Sequence, residues 1–554
     1  MKYFFQVLLT LFFIQSVTAQ ELQKRDFDPE LDLRAHPKLV VGVVVDQMRY
    51  DYITRFWDRF DEKGFKKLVS EGFNFRNHHF NYIPTYTGPG HASIYSGAAP
   101  ETHGIISNNW YDKSDDKMVY CVEDEMVDPV GTTSEAGKMS PHRLLTAGVA
   151  DENRLHTQMK GKTIGVALKD RGAILPAGHT ANAAYWFHGQ DEGQWISSTF
   201  YLQQLPQWVK DFNASGRAAS YMKKWETLYD IDTYSESGVD INTFEGGFRG
   251  KKDAGFPYDL AKLQSENGGF DLIKSTPFGN SLTADFAIAA IDGEKLGQDN
   301  TTDFLTVSFS ATDYIGHNFG VNSKEIEDTY LRLDQDLGRL LEALDQKVGK
   351  GNYTLFLTAD HGGVDVPAYL QSVKIPAGYF DFGRFSEDLK SWLNNKYGAD
   401  NLIANISNNQ IFFNYDALEK EDILTEDLQK RIAQHVLQYD LVSEVFTRSQ
   451  LMATSYTQSI AAAIDHGFNQ KRSGDVMVVL DPQVISYSST GSTHGTGLNY
   501  DTHAPLIFYG KGIKRGNTVE RTEVIDIAPT VSALLGISFP TGATGRPLFM
   551  ALGK

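Results

Sequence analysis

Leu39-Val40-Val41-Gly42-Val43-Val44-Val45-Asp46 is the stretch that sets the fold. Seven apolar residues, most of them β-branched, run without polar alternation, as in a strand buried on both faces. An aspartate follows at once. Similar runs occupy 163–168, 304–309, 354–358, 476–480 and 505–509. Helical periodicity fills the intervals. It is clearest over 323–347, where Ile326, Tyr330, Leu333, Leu337, Leu341 and Leu344 share one face. A closing helix is predicted over 524–535, interrupted near its start by Pro529. Strands alternating with helices predict an α/β fold with a mostly parallel central sheet and helices on both faces.

Such sheets bind ligands outside the carboxyl ends of their strands. Asp46, Lys169, Asp313 and the pair Asp360-His361 each follow one of the runs, so they are expected at one edge of one sheet. Residues 38–554 read as one large domain. Segments near 185–280, rich in Gly, Asn, Ser and aromatics, and near 365–475 read as insertions capping the site.

The 554-residue chain is 41% hydrophobic, with net charge -18 and a single cysteine. Lys2, an apolar run over 3–14 and Val17-Thr18-Ala19 predict a signal peptide over 1–19, and hence an exported, periplasmic or secreted protein. Residues 20–37 read as an exposed lead-in. The first run is too short to span a bilayer, and no later stretch is apolar enough, so stable membrane insertion is not expected. One cysteine forbids an intrachain disulfide, which leaves core and metal to hold an exported chain. Cys121, in Val119-Tyr120-Cys121-Val122, reads as a packed small apolar residue. The acidic balance disfavours a nucleic-acid duplex as partner. It does not exclude small anions, because a metal site reverses the local field. Oligomeric state is not legible.

Asp46, Thr87, Asp313, His317, Asp360, His361 and His494 supply the imidazoles, carboxylates and hydroxyl of a two-zinc site. Two close metals beside a nucleophile suit in-line displacement at phosphorus. Thr87 precedes Gly88-Pro89-Gly90-His91, where a helix is predicted to begin near His91; its N-terminus would favour an anion. A threonine in a capping turn is the local alternative. Asp313 and His317 stand four apart, on one face of a helical turn. Asp360-His361 precedes a Gly-Gly turn at a strand end. Asp465-His466-Gly467 repeats the Asp-His-Gly string but ends a helix-like run, with Gly467 as its cap, and is not read as a metal site. His91 and His103 lack ligand spacing. Between His494, in Thr493-His494-Gly495, and His503, in Thr502-His503-Ala504, local chemistry does not choose.

Taken in order, these motifs, with Gly104-Ile105-Ile106-Ser107-Asn108-Asn109-Trp110-Tyr111-Asp112 between them, resemble the alkaline phosphatase superfamily. More narrowly they resemble its nucleotide pyrophosphatase/phosphodiesterase-like branch with a threonine nucleophile. Lys169-Asp170-Arg171-Gly172-Ala173-Ile174 resembles the PafA-type periplasmic alkaline phosphatases. The resemblance covers residues 38–554 and implies a catalytic domain of that fold, hydrolysing small phosphate monoesters through a phospho-threonine. It implies two Zn2+ per chain. Asp313, His317 and His494 would hold one, near the leaving group; Asp46, Asp360 and His361 would hold the other, with Thr87. It selects His494 over His503. Asn108, Lys169 and Arg171 would contact phosphoryl oxygens. A phosphodiesterase with the same zinc core, or a non-catalytic metal-binding protein, are the alternatives. No Cys/Ser-x-Pro-x-Arg sulfatase motif is present.

Overall fold

A computed structural model describes residues 36–399 and 401–553. The predicted signal peptide and the lead-in up to residue 35 lie outside the described residues. The dominant element is an 11-stranded sheet. Its strands include β1 (Leu39–Val45), β2 (Phe73–His79), β3 (Thr163–Ala167), β4 (Ala183–His188), β5 (Gln194–Ser198), β6 (Asp303–Phe309), β7 (Tyr353–Thr358) and β8 (His503–Gly510). Across the sheet these run β2-β8-β7-β1-β6-β3-β4-β5.

The middle five strands, β7-β1-β6-β3-β4, are parallel. Every residue of β1 is buried, so both faces of the sheet are covered there, as its unbroken apolar run requires. The helices α1 (Thr87–Ser96) and α2 (Asp170–Ala177) pack on each other, and α2 packs on β3 and β6; α3 (Ala311–Phe319) and α4 (Lys324–Leu344) also pack together. The predicted stripe on α4 is buried at Ile326, Tyr330, Leu333, Leu337, Leu341 and Leu344. The closing helix forms as a 3-10 turn, Val524–Asp526, followed by Ile527–Leu535. Pro529 sits in its first turn, where a missing N–H costs nothing.

Three expectations change. The run at 505–509 lies in β8, which pairs antiparallel with β7 and β2. Val476–Leu480 is not in this sheet at all. It joins Ile403–Ser407, Gln410–Phe413 and Val442–Thr447 in a separate four-stranded sheet with its own apolar core around Leu389, Leu428 and Ile432. An apolar run specifies burial but not which partner strand provides it. The segment near 185–280 reads as an insertion, but its first part lies in β4 and β5 of the main sheet.

Candidate metal centre

The parallel strands deliver the polar residues to one edge. Asp46 leaves β1 with its N–H bonded to Phe309 O at the end of β6 (3.1 Å). Asp313 lies in the first turn of α3 and His317 one turn on. Asp360 and His361 follow β7, and Lys169 follows β3. The helix predicted near His91 starts at Thr87 itself, with Pro89 in the first turn. Its N-cap is Tyr86, and no side chain caps it, so the Thr87 hydroxyl is not spent as a cap. Gly90 lets α1 approach the strand end closely: a Cβ there would stand 2.3 Å from Asp360 O.

Three imidazoles turn their Nε2 atoms into the cluster. His361 Nδ1 lies 2.9 Å from Gly362 O, His494 Nδ1 2.8 Å from Thr85 O and His317 Nδ1 2.8 Å from Ser492 O. A carbonyl only accepts, so each Nδ1 carries the proton and each Nε2 of a neutral ring presents a lone pair. Those of His317 and His494 lie 3.2 and 3.5 Å from Asp313 Oδ1. That of His361 lies 3.5 Å from both Asp46 Oδ1 and Asp360 Oδ2, and 3.4 Å from Thr87 Oγ1. The rings of His361 and His494 stack, centroids 3.5 Å apart. Donor atoms of Asp46, Asp360 and His361 fall within 4.8 Å of one another, as do those of Asp313, His361 and His494. The first group is the trio the family resemblance implies. In the second, His361 stands where His317 was expected, with His317 beside it against Asp313 at the partly open mouth.

The donor set fits divalent metal. Asp46 is fully buried, yet neither of its carboxylate oxygens accepts a hydrogen bond, and Asp360 Oδ2 is likewise without a donor. Lys169 Nζ stands 2.6 Å from Asp46 Oδ2, but outside hydrogen-bonding geometry. Carboxylates buried this way are costly unless a cation faces them. Burial pushes the Asp46 carboxyl up to about 6, the Lys169 charge opposing, and raises that of Asp360 well above the usual range, Asp46 adding to it. At Asp313 burial is outweighed by His317, Lys169 and His494, which hold it low. Burial lowers His494 to about 3 and holds His361 well below the usual imidazole range, so both rings are neutral ligand donors.

Lys169 is buried, donates to Asp313 Oδ2 (2.5 Å) and reaches Thr87 Oγ1 at 3.3 Å. Arg171 donates instead to Tyr120 Oη (2.9 Å), while its Nε has no acceptor. The two do not sit together on an extended strand end. Lys169 is the N-cap of α2 and Arg171 lies in its first turn, so they diverge. Asn108 Oδ1 accepts from Gly88 N (2.7 Å), leaving its NH2 group to donate elsewhere.

Gln47 is a residue the motifs did not flag. It takes a left-handed conformation (φ 60°) directly after Asp46. Its N–H donates to Asp360 Oδ1 (3.1 Å) and its Nε2 to Asp313 Oδ1 (2.8 Å). One residue thus ties the carboxylates of both groups, through its backbone to Asp360 and its side chain to Asp313. Its only signal in the sequence is its place after a strand-end aspartate.

The bypassed groups have other partners. His91 bonds Thr87 O and Ser308 Oγ, and His103 bonds Ser93 Oγ and the Ile105 N–H. His503 stacks on His79 and Tyr50 at the start of β8, away from the cluster. His466 bonds Asn81 O, and Asp465 accepts from the Tyr456 N–H. Gly467 is the last residue of its helix rather than a left-handed cap, and a Cβ there would strike Ile83 O. Cys121 is buried in an apolar cluster, with its thiol pushed up to about 12 by burial.

A model of the family of type I phosphodiesterases and nucleotide pyrophosphatases matches residues 40–504, and the chain belongs to that family. It is 46% identical over 521 residues, 93% of this chain and 95% of the relative, to a Myroides odoratus protein named calcium-transporting ATPase. It is 45% identical over 526 residues, 94% and 95% of the two chains, to alkaline phosphatase PafA of Elizabethkingia meningoseptica. The crystal structure of wild-type PafA matches with a TM-score of 0.90 at 44% identity, covering 94% of this chain and 99% of that one. A solved variant of PafA carries substitutions at a threonine, an asparagine, a lysine and an arginine.

Proposed function

We propose that this protein is an exported alkaline phosphatase, a hydrolase of small phosphate monoesters that binds two Zn2+ ions and reacts through Thr87. The observation that carries the reading is the place of the Thr87 hydroxyl: first residue of α1, 3.4 Å from His361 Nε2 and 3.3 Å from Lys169 Nζ. Full-length similarity to alkaline phosphatases supports it. The residue types altered in the PafA variant are, in order, those of Thr87, Asn108, Lys169 and Arg171.

Asp46, Asp360 and His361 would hold one ion and Asp313, His317 and His494 the other; when bound, they lower the pKa of a nearby hydroxyl and offset charge on the departing oxygen. Thr87 Oγ bonds phosphorus as the ester oxygen leaves with the electron pair of its bond; the hydroxyl proton is lost and the alcohol gains one. Water then attacks the phospho-threonine, phosphate leaves and Thr87 regains its proton. Asn108, Lys169 and Arg171 grip the non-bridging oxygens, where charge is spread in phosphoryl transfer. Helix α1 adds the positive end of its dipole. No helix among the described residues is long and apolar enough to cross a membrane.

The family's description favours a second reading, diester hydrolysis on the same core. Rates on matched monoester and diester substrates, with zinc supplied and then chelated, separate the two. The monoester should react faster, lose its rate to the chelator and regain it with zinc. A faster diester would favour the second reading, and chelator-insensitive hydrolysis would refute both.

A further inference from the structure

A cavity of about 350 Å³ opens beside His494. It lies between the 482–498 segment and the separate four-stranded sheet. Its apolar wall is Ile460, Val478, Leu480, Val484 and Ile485, uncharged polar groups such as Asn409, Ser443 and Ser486 also line it, and Tyr86 and His494 line the side toward the metal centre. That size falls within the range of small-molecule sites. Among the described residues Glu444 is the only carboxylate, ammonium or guanidinium side chain that lines it, and Glu444 is exposed.

The lining decides which part of a substrate can enter. A diester's second group replaces a non-bridging oxygen, so it would point toward Asn108, Lys169 and Arg171. None of these three lines the cavity. His494 does, and with Asp313 it belongs to the half of the centre assigned to the leaving group. We infer that the cavity receives the uncharged apolar leaving group of a phosphate monoester, an alkyl chain or an aryl ring, and so selects lipophilic monoesters over those carrying a second anionic group. A second phosphate or carboxylate would find Glu444 and no cation there, at a net cost. The inference rests on the assignment of His494 to the leaving-group side.

Linear alkyl phosphates from ethyl to hexyl test it, because their leaving alcohols differ little in acidity. kcat/KM should rise about fourfold per added methylene until the cavity is full, the factor for burying one CH2. A flat series, with phosphate still released, would overturn the inference while leaving the phosphatase reading intact. No release from any member would overturn both. Leu480 is partly buried in the wall. Leu480→Trp should lower the hexyl-to-ethyl ratio at least tenfold. If thermal melting shows that this variant does not fold, Leu480→Ser should lower the ratio by making the wall polar. A folded variant that keeps the wild-type ratio would contradict the proposal.

Discussion

Lys169 Nζ stands 3.3 Å from Thr87 Oγ1, and the same ammonium touches Asp46 and Asp313 at 2.6 and 2.5 Å. The proposed nucleophile therefore shares a neighbouring ammonium with a carboxylate from each half of the candidate metal centre. Thr87 is itself almost wholly buried (1% exposed). Its hydroxyl is held against an ammonium and an imidazole nitrogen, an environment that favours the alkoxide.

Thr87→Ala should lose several orders of magnitude in monoester turnover while keeping the fold, as for catalytic nucleophiles elsewhere. Thr87→Ser should retain part of the rate, since the hydroxyl survives. Steady-state kinetics with a melting curve check both. A near-native rate in the alanine variant would remove Thr87 from the mechanism.

Lys169 and Arg171 should not behave alike. Lys169 supports two metal-facing carboxylates, so Lys169→Ala should slow monoesters and diesters together. Arg171 bonds Tyr120 and touches no carboxylate of the cluster. Arg171→Ala should cost about 2–4 kcal/mol on monoesters, the usual loss for one charged transition-state contact, and less on diesters, which lack one charged oxygen. Equal losses on both substrates would remove Arg171 as the source of monoester preference.

Gln47 ties Asp360 to Asp313, and its test is metal affinity rather than rate. Gln47→Asn suits the left-handed backbone but is one methylene too short to hold Asp313. Zinc affinity, read by competition with a chromophoric chelator, should fall about 10- to 100-fold, as when groups behind metal ligands are removed. Unchanged affinity would reduce Gln47 to a local turn residue.

Asp501 braces the His494 loop. Its buried Oδ2 accepts from the Gly495 and Thr496 N–H groups, and its Oδ1 has no donor. Burial pushes its carboxyl up to about 7, against 3.8 unperturbed. Between those values the folded chain keeps a proton that the unfolded chain has lost, so stability falls as pH rises through that window, by about 4 kcal/mol in all. Asp501→Asn keeps the shape and removes the titration. Denaturant unfolding of chelator-treated protein from pH 4 to pH 7 should show wild type losing stability relative to the variant. Parallel curves would contradict the assignment.

The parallel half of the sheet was legible because buried strands need unbroken apolar runs, as at Leu39–Val45, and strand-end ligands follow them directly. The convergence of Asp46, Asp313, Asp360 and His361 followed from those run ends alone. What was not legible depended on partners distant in sequence. Val476–Leu480 reads like any core strand, yet pairs with Gln410–Phe413 and Val442–Thr447. Lys169 and Arg171 stand two apart in sequence, yet the start of α2 between them turns them to different partners, Asp313 and Tyr120. Gln47 has no periodic or compositional mark, because its role arises only where β1, β6 and β7 end side by side. His494 was separated from His503 by family resemblance, and the structure places His494 in the cluster through a carbonyl, Thr85 O, that no local pattern reveals.

The stereochemical course at phosphorus tests the central claim most directly. An isotopically chiral phosphate monoester, turned over in the presence of an acceptor alcohol, should transfer its phosphoryl group with net retention. Two in-line displacements, first onto Thr87 and then off it, each invert the centre. Net inversion would mean a single direct displacement and would contradict Thr87 as the nucleophile.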